Sequence, residues 1–122
     1  MTQRFARLTL ALLLLVAASI PSLLAAGAPV TLSGELVDMA CYIGHGASGP
    51  DHAKCAAKCA LMGQPVGLVS ADGKVYLLVA DHADGGPYDK ARKLAGEKVE
   101  IKGEVNSKDG VNALTVNEVK KS

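Results

Sequence analysis

The sequence predicts a mainly β protein, built as a small five-stranded barrel of the OB type with two short helices. Three observations carry this prediction. Five apolar or alternating segments are separated by turns rich in Gly, Asn, Asp and Pro. A Cys- and His-rich segment with helical character follows the first of them, and a second short helix precedes the fourth. The resulting order of strand, helix, hairpin, helix and hairpin fits such a barrel.

The strand predictions rest on period-two patterns and turn residues. The clearest pattern lies between residues 97 and 105, where Val99 and Ile101 face inward and charged residues occupy the alternate positions. Gly34 indicates a bulge or bend in the first strand, and Gly73 a tight hairpin turn. The predicted strands are Val30–Met39, Val66–Val69, Lys74–Ala80, Glu97–Val105 and Val111–Val119.

Two short helices are expected between these strands. The first covers about residues 51 to 62, where Ala and Lys favour a helix, Asp51 or the residue before it caps the start, and Gly63 ends it. The second runs from Tyr88 to Ala95 and ends at Gly96.

Residues 1 to 28 have the layout of a secretory signal peptide. Arg4 and Arg7 precede an apolar stretch, and the small residues 25 to 28 give the expected cleavage region. The apolar stretch is short for a membrane span, so no membrane anchor is expected after its removal. We therefore expect residues 29 to 122 to form a single OB-like domain in the periplasm or outside the cell.

Charge and aromatic content argue against nucleic acid as a partner. Two of the 13 basic residues leave with the signal peptide and none of the 12 acidic ones, so the remaining chain is close to neutral. Its only aromatic residues are Tyr42, Tyr76 and Tyr88, too few for a base-stacking platform. A domain of this size has a modest core, which gains from a covalent or metallic staple.

The chemistry of the chain is concentrated between residues 41 and 59, which contain all three cysteines and two of the three histidines. His52, Cys55 and Cys59 share one face of the predicted helix because residues three, four and seven apart are neighbours. A Gly-rich loop can fold Cys41 back over that face. The sequence therefore predicts a Cys3His site for Cu(I) or Zn(II), with His45 as a further candidate ligand.

Two other interpretations of the cysteines stay open. Exported small proteins use disulfides as staples, so Cys41 paired with Cys55 or Cys59 would give a stapled barrel that binds a ligand or protein through its loops. That pairing leaves one thiol over, which favours the metal interpretation. The third interpretation is a thiol oxidoreductase using Cys55 and Cys59. No base and orienting residue accompany these thiols in sequence, so no catalytic residue is assigned.

Several motifs carry a resemblance to known proteins. They are residues 39 to 42, the run His52 to Cys59, residues 63 to 68 and the turn at 72 to 76. Together they resemble a group of small exported bacterial proteins with OB-like barrels and a Cys…His-x-x-Cys-x-x-x-Cys insertion, a resemblance that implies the barrel over most of the mature chain.

The pair Cys55 and Cys59 with a separate His is also similar to the ligand sets of Sco-type copper chaperones and of the binuclear copper centre of cytochrome oxidase. This similarity implies copper binding, a role as a carrier or sensor, and a protein partner that receives the metal. The chain departs from those families in its fold, in its extra Cys41 and in having no Pro beside the pair.

Overall fold

The computed structural model describes residues 27 to 122, and within them the chain forms a closed five-stranded barrel. The strands are β1 (Ala28–Asp38), β2 (Val66–Ser70), β3 (Val75–Ala80), β4 (Lys98–Lys108) and β5 (Val111–Lys121). They follow the order β1-β2-β3-β5-β4 around the barrel, with β4 returning to β1. All neighbouring pairs are antiparallel except β3 and β5, which are parallel.

Three short helices connect the strands. Two of them, α1 (Met39–His45) and α2 (Ala53–Leu61), lie between β1 and β2, and α3 (Gly86–Lys93) lies between β3 and β4. The predicted mainly β barrel, with a Cys-bearing helix after β1 and another helix before β4, is therefore confirmed. Within residues 27 to 122, no helix has the length and apolar character needed to cross a membrane.

The core fills the barrel with aliphatic side chains from every strand. In β4 the predicted alternation is observed, since Val99 and Ile101 are fully buried and Lys98 and Lys102 are exposed. The largest fully buried apolar side chains are Leu36, Leu68, Ile101 and Leu114, with Val37, Val66, Val99, Val116 and Val119. This burial supplies the main stabilising free energy of the barrel.

Two glycines let strands approach one another closely. A side chain at Gly34 would overlap the carbonyl oxygen of Val69, and one at Gly103 would overlap that of Thr115. Gly34 lies where β1 pairs with both β2 and β4, and the register of both pairs continues through it without a shift, so no bulge is observed at this position. Gly103 follows a register shift between β4 and β5. Both positions need Gly because backbone atoms occupy the space that a Cβ would fill.

Several element boundaries differ from the predictions by one or more residues. The first strand ends at Asp38 instead of Met39, because Met39 begins α1, a helix that replaces part of the predicted loop. Helix α3 begins and ends about two residues earlier than expected. Strands β4 and β5 are longer, and only Asp109 and Gly110, both with positive φ, turn the chain between them. The predicted signal peptide lies almost entirely outside the described residues, which include only its last two positions.

Candidate metal centre

Helix α1 places Cys41 directly beside the end of β1. Asp38 is the N-cap: its carboxylate accepts hydrogen bonds from the backbone N–H of Ala40 at 3.1 Å and of Cys41 at 3.4 Å. Gly46 ends the helix in the left-handed conformation, with φ of 66°. Cys41 is thus held in the first turn of a capped helix, and its side chain is half-buried.

Helix α2 carries the other two cysteines on consecutive turns. Its buried face consists of Ala56 and Ala60, while Cys55 is exposed and Cys59 is half-buried. The guanidinium of Arg92, from α3, donates to the carbonyl oxygen of Ala60 at 2.7 Å through Nη2 and at 3.3 Å through Nε. This contact fixes the last turn of α2, and Cys59 with it, against α3.

The start of α2 differs from the prediction. His52, not Asp51, occupies the N-cap position, and it makes no side-chain capping bond to the helix. The preceding turn is held instead by Glu35 of β1, whose carboxylate accepts a hydrogen bond from Gly49 N–H at 2.6 Å. The His52 side chain is therefore not used in capping.

The three thiols converge as predicted. Their sulfur atoms lie within 4.8 Å of one another, and the Sγ atoms of Cys55 and Cys59 are 4.0 Å apart. A disulfide requires about 2.05 Å between sulfurs. All three cysteines are free, so the stapled alternative has no bonded pair in the part of the chain that the structure describes. Three convergent free thiols form a set of donors close enough to hold a metal ion.

A second group of donors shares Cys41 with the first. One donor atom each from Asp38, Cys41 and His52 also lies within 4.8 Å of the others. The two groups are named here the thiol triad (Cys41, Cys55, Cys59) and the mixed triad (Asp38, Cys41, His52). All four predicted ligands therefore gather around the Cys41 sulfur, and Asp38 is an additional donor that the sequence interpretation missed.

The His52 imidazole is the least satisfied polar group of the site. Its Nε2 atom is buried and has no hydrogen-bond partner within residues 27 to 122. A buried polar atom without a partner costs about 1–3 kcal/mol. Coordination of a metal ion would satisfy this nitrogen, because neutral imidazole is a common ligand of transition metals.

The pKa values of the site reflect the crowding of acidic groups. The pKa of the Cys41 thiol is raised to about 12, first because the thiol donates a hydrogen bond to the Asp38 carboxylate and then because it is desolvated. Desolvation, followed by the hydrogen bond with Cys55, also raises the pKa of Cys59. Burial opposes ionisation of Asp38, but the hydrogen bonds from Cys41 and Ala40 outweigh it and lower the pKa of this carboxyl. The metal-free site therefore pairs one carboxylate with protonated thiols, and a metal ion must displace these protons.

The remaining histidines lie apart from the two triads. His45 is exposed in the last turn of α1, and His82 is exposed in the loop before α3. Neither contributes to the two donor groups found within residues 27 to 122. Met39, whose thioether is another soft donor, lies against Gly67 in the barrel wall and acts there as a packing residue.

Comparisons of the chain with protein-family models, with curated proteins and with solved structures gave no match. The two triads are therefore the features of this chain that indicate a function.

Proposed function

We propose that this protein binds Cu(I) or Zn(II) through the thiolates of Cys41, Cys55 and Cys59, with the His52 imidazole as nitrogen donor. The observation that carries the proposal is the convergence of three free thiols beside a buried histidine nitrogen that has no hydrogen-bond partner. Thiolate and imidazole are the donors that both ions prefer in proteins.

The exposure of the site favours Cu(I) and a role in carrying the ion. Cu(I) is stable with three sulfur donors, whereas structural zinc sites are closed by four ligands. Cys55 is exposed, so a thiol of a receiving protein has access to an ion held there. The N-terminal sequence pattern is typical of a secretory signal peptide, which supports a carrier that works in the periplasm or outside the cell and passes the metal to a protein partner.

Metal affinity of matched variants tests the proposal. Reduced protein is titrated with Cu(I), and separately with Zn(II), against a chromophoric chelator of known affinity. We expect Cys59→Ser to weaken binding by about 100-fold or more, since a site worth 10–16 kcal/mol is shared among about four ligands. His82→Ala, which changes an exposed histidine outside the two triads, should leave affinity unchanged.

Equal effects of the two substitutions would contradict the ligand assignment. Native mass spectrometry of the protein as purified supplies a second criterion. A mass lower by two hydrogens, with one thiol left for alkylation and no metal retained, would favour the disulfide-stapled barrel over the metal carrier.

A further inference from the structure

We infer that the site is binuclear: a soft monovalent ion occupies the thiol triad, a divalent ion of borderline softness occupies the mixed triad, and the Cys41 sulfur bridges the two. This inference rests on the proposed metal-binding function. It deepens that proposal by assigning His52 to the inner ion and by adding Asp38 as a ligand.

The donor types of the two triads select different ions. The thiol triad offers three sulfurs, which suit Cu(I). The mixed triad offers one carboxylate oxygen, one imidazole nitrogen and one sulfur, a combination typical of Zn(II). The triads have only Cys41 in common, and a thiolate has enough lone pairs to bind two ions at once. The shared sulfur is therefore the natural bridge.

The two metal positions differ in their exposure to solvent. Asp38 is fully buried, and the Nε2 atom of His52 is also inaccessible to solvent. Cys55, in contrast, is exposed. The mixed triad thus forms an inner position enclosed by β1, α1 and the start of α2, and the thiol triad forms an outer position open to exchange.

The charge of the donors also favours two ions. With all thiols ionised, the donors carry three thiolate charges and one carboxylate charge close together. A single Cu(I) neutralises only one of these four charges and leaves the buried Asp38 carboxylate beside a thiolate, which is costly in a desolvated place. A divalent ion bound to Asp38 and Cys41 removes most of this repulsion and gives the His52 nitrogen its missing partner.

Asp38 can bind an ion without giving up its structural role. Its two oxygens accept the backbone N–H groups of Ala40 and Cys41. An ionised carboxylate has about four acceptor sites, so lone pairs remain for a metal. Asn at this position would keep one of the two capping bonds through its single carbonyl oxygen, and Asn and Asp are equally good N-caps. Asp38→Asn therefore removes the anionic ligand and preserves helix α1.

Metal stoichiometry tests the inference. The reduced full-length chain is loaded with Cu(I) and Zn(II) together, desalted, and analysed by native mass spectrometry and elemental analysis. We expect one copper and one zinc per chain. Asp38→Asn and His52→Ala should each lose the zinc and keep the copper, whereas Cys55→Ser should lose the copper and keep the zinc.

Matched substitutions outside the triads serve as controls. Asp51→Asn and His45→Ala change the same residue types at exposed positions, and both should retain the two ions. X-ray absorption adds a readout of the ligand shell. The zinc spectrum should show about one sulfur with nitrogen and oxygen donors, and the copper spectrum about three sulfurs. Circular dichroism verifies that each variant is folded. If Asp38→Asn does not fold, His52→Ala still tests the inner position.

The other possible outcomes contradict either the binuclear site alone or the proposed function as well. One ion per chain, whichever metal it is, would overturn the binuclear site and leave the proposed function standing. Loss of both metals from Asp38→Asn and His52→Ala would also overturn it, since the two positions would then not be separable. A wild-type chain that binds neither ion would overturn the proposed function itself.

Discussion

Arg92 links the site to the rest of the fold, although it lies outside both triads. It is the side chain of α3 that donates two N–H groups to the carbonyl oxygen of Ala60 in the last turn of α2. Only 27% of the Arg92 side chain is exposed, and Ala60 is fully buried. Replacing Arg92 by Met keeps an aliphatic stem of similar length and removes the donor, so packing is largely retained. The ion pair with Asp89, which is also lost, is 4.0 Å long and exposed on the Asp89 side, and it contributes little.

The expected cost is that of one charged hydrogen bond. A hydrogen bond to a charged group contributes about 1.5–3 kcal/mol, and after its loss the Ala60 carbonyl keeps only the backbone N–H of Gly63, at 3.1 Å, as a donor. The two N–H groups share one acceptor, so their contributions do not simply add. We expect Arg92→Met to lower the free energy of unfolding by about 1.5–3 kcal/mol. For a domain of this size, each kcal/mol lowers Tm by about 4–8 °C.

Urea unfolding of the reduced, metal-free protein measures this change, with tertiary structure followed by tyrosine fluorescence. Lys93→Met is the matched control, because Lys93 is an exposed cation on the same helix, and its substitution should change stability by less than about 0.5 kcal/mol. If Arg92→Met and Lys93→Met had the same effect, the contact with Ala60 would not fix α2, and the positioning of Cys59 would need another explanation.

Two further predictions concern the barrel and the protonation of the site. Gly103→Ala should destabilise the protein by about 1–3 kcal/mol, because the new Cβ overlaps the Thr115 backbone oxygen, whereas Gly44→Ala on open helix surface should be neutral or stabilising by up to about 1 kcal/mol. Equal thermal shifts for the two variants would refute this reasoning. The pKa of Cys41 is raised from 9.0 to about 12, so the folded state holds this proton more tightly than the unfolded state. The contribution of this proton to stability is therefore complete below about pH 9 and is lost as the pH rises towards 12. In urea titrations of metal-free protein, Cys41→Ser should lose less of its free energy of unfolding between these pH values than the wild type. An equal loss in both proteins would contradict the hydrogen bond assigned to Cys41.

The sequence was sufficient to predict the barrel and most of the donor set. Alternation in β4 and the turn at Gly73 are local signals, and both correspond to observed elements. The spacing of Cys55 and Cys59 places them on consecutive helical turns, where their sulfurs are found 4.0 Å apart. Such features depend on residues close in the chain, which is why patterns of residues indicate them.

Helix α1 and the role of Asp38 could not be recognised in the same way. The helix has seven residues, none of them buried, so it has no apolar face to give a periodic pattern. Its stability comes from the Asp38 cap and from Gly46 at its end. Had those two residues been interpreted as caps, Asp38 would have stood one turn from Cys41 and joined the candidate ligands. The absence of a cap at His52 depends on tertiary contacts, which the sequence does not show.

Every donor of both triads lies in the β1–β2 connection or, in the case of Asp38, at the last residue of β1. The ends of this connection are paired with each other, since Asp38 of β1 lies opposite Val66 of β2, and Met39 N–H donates to the Pro65 carbonyl at 2.9 Å. The insert thus leaves and re-enters the β-ladder at a single rung. Changes in the length or composition of this insert can therefore accumulate without shifting the register of β1 and β2, provided that its contacts with Glu35 and Arg92 are kept.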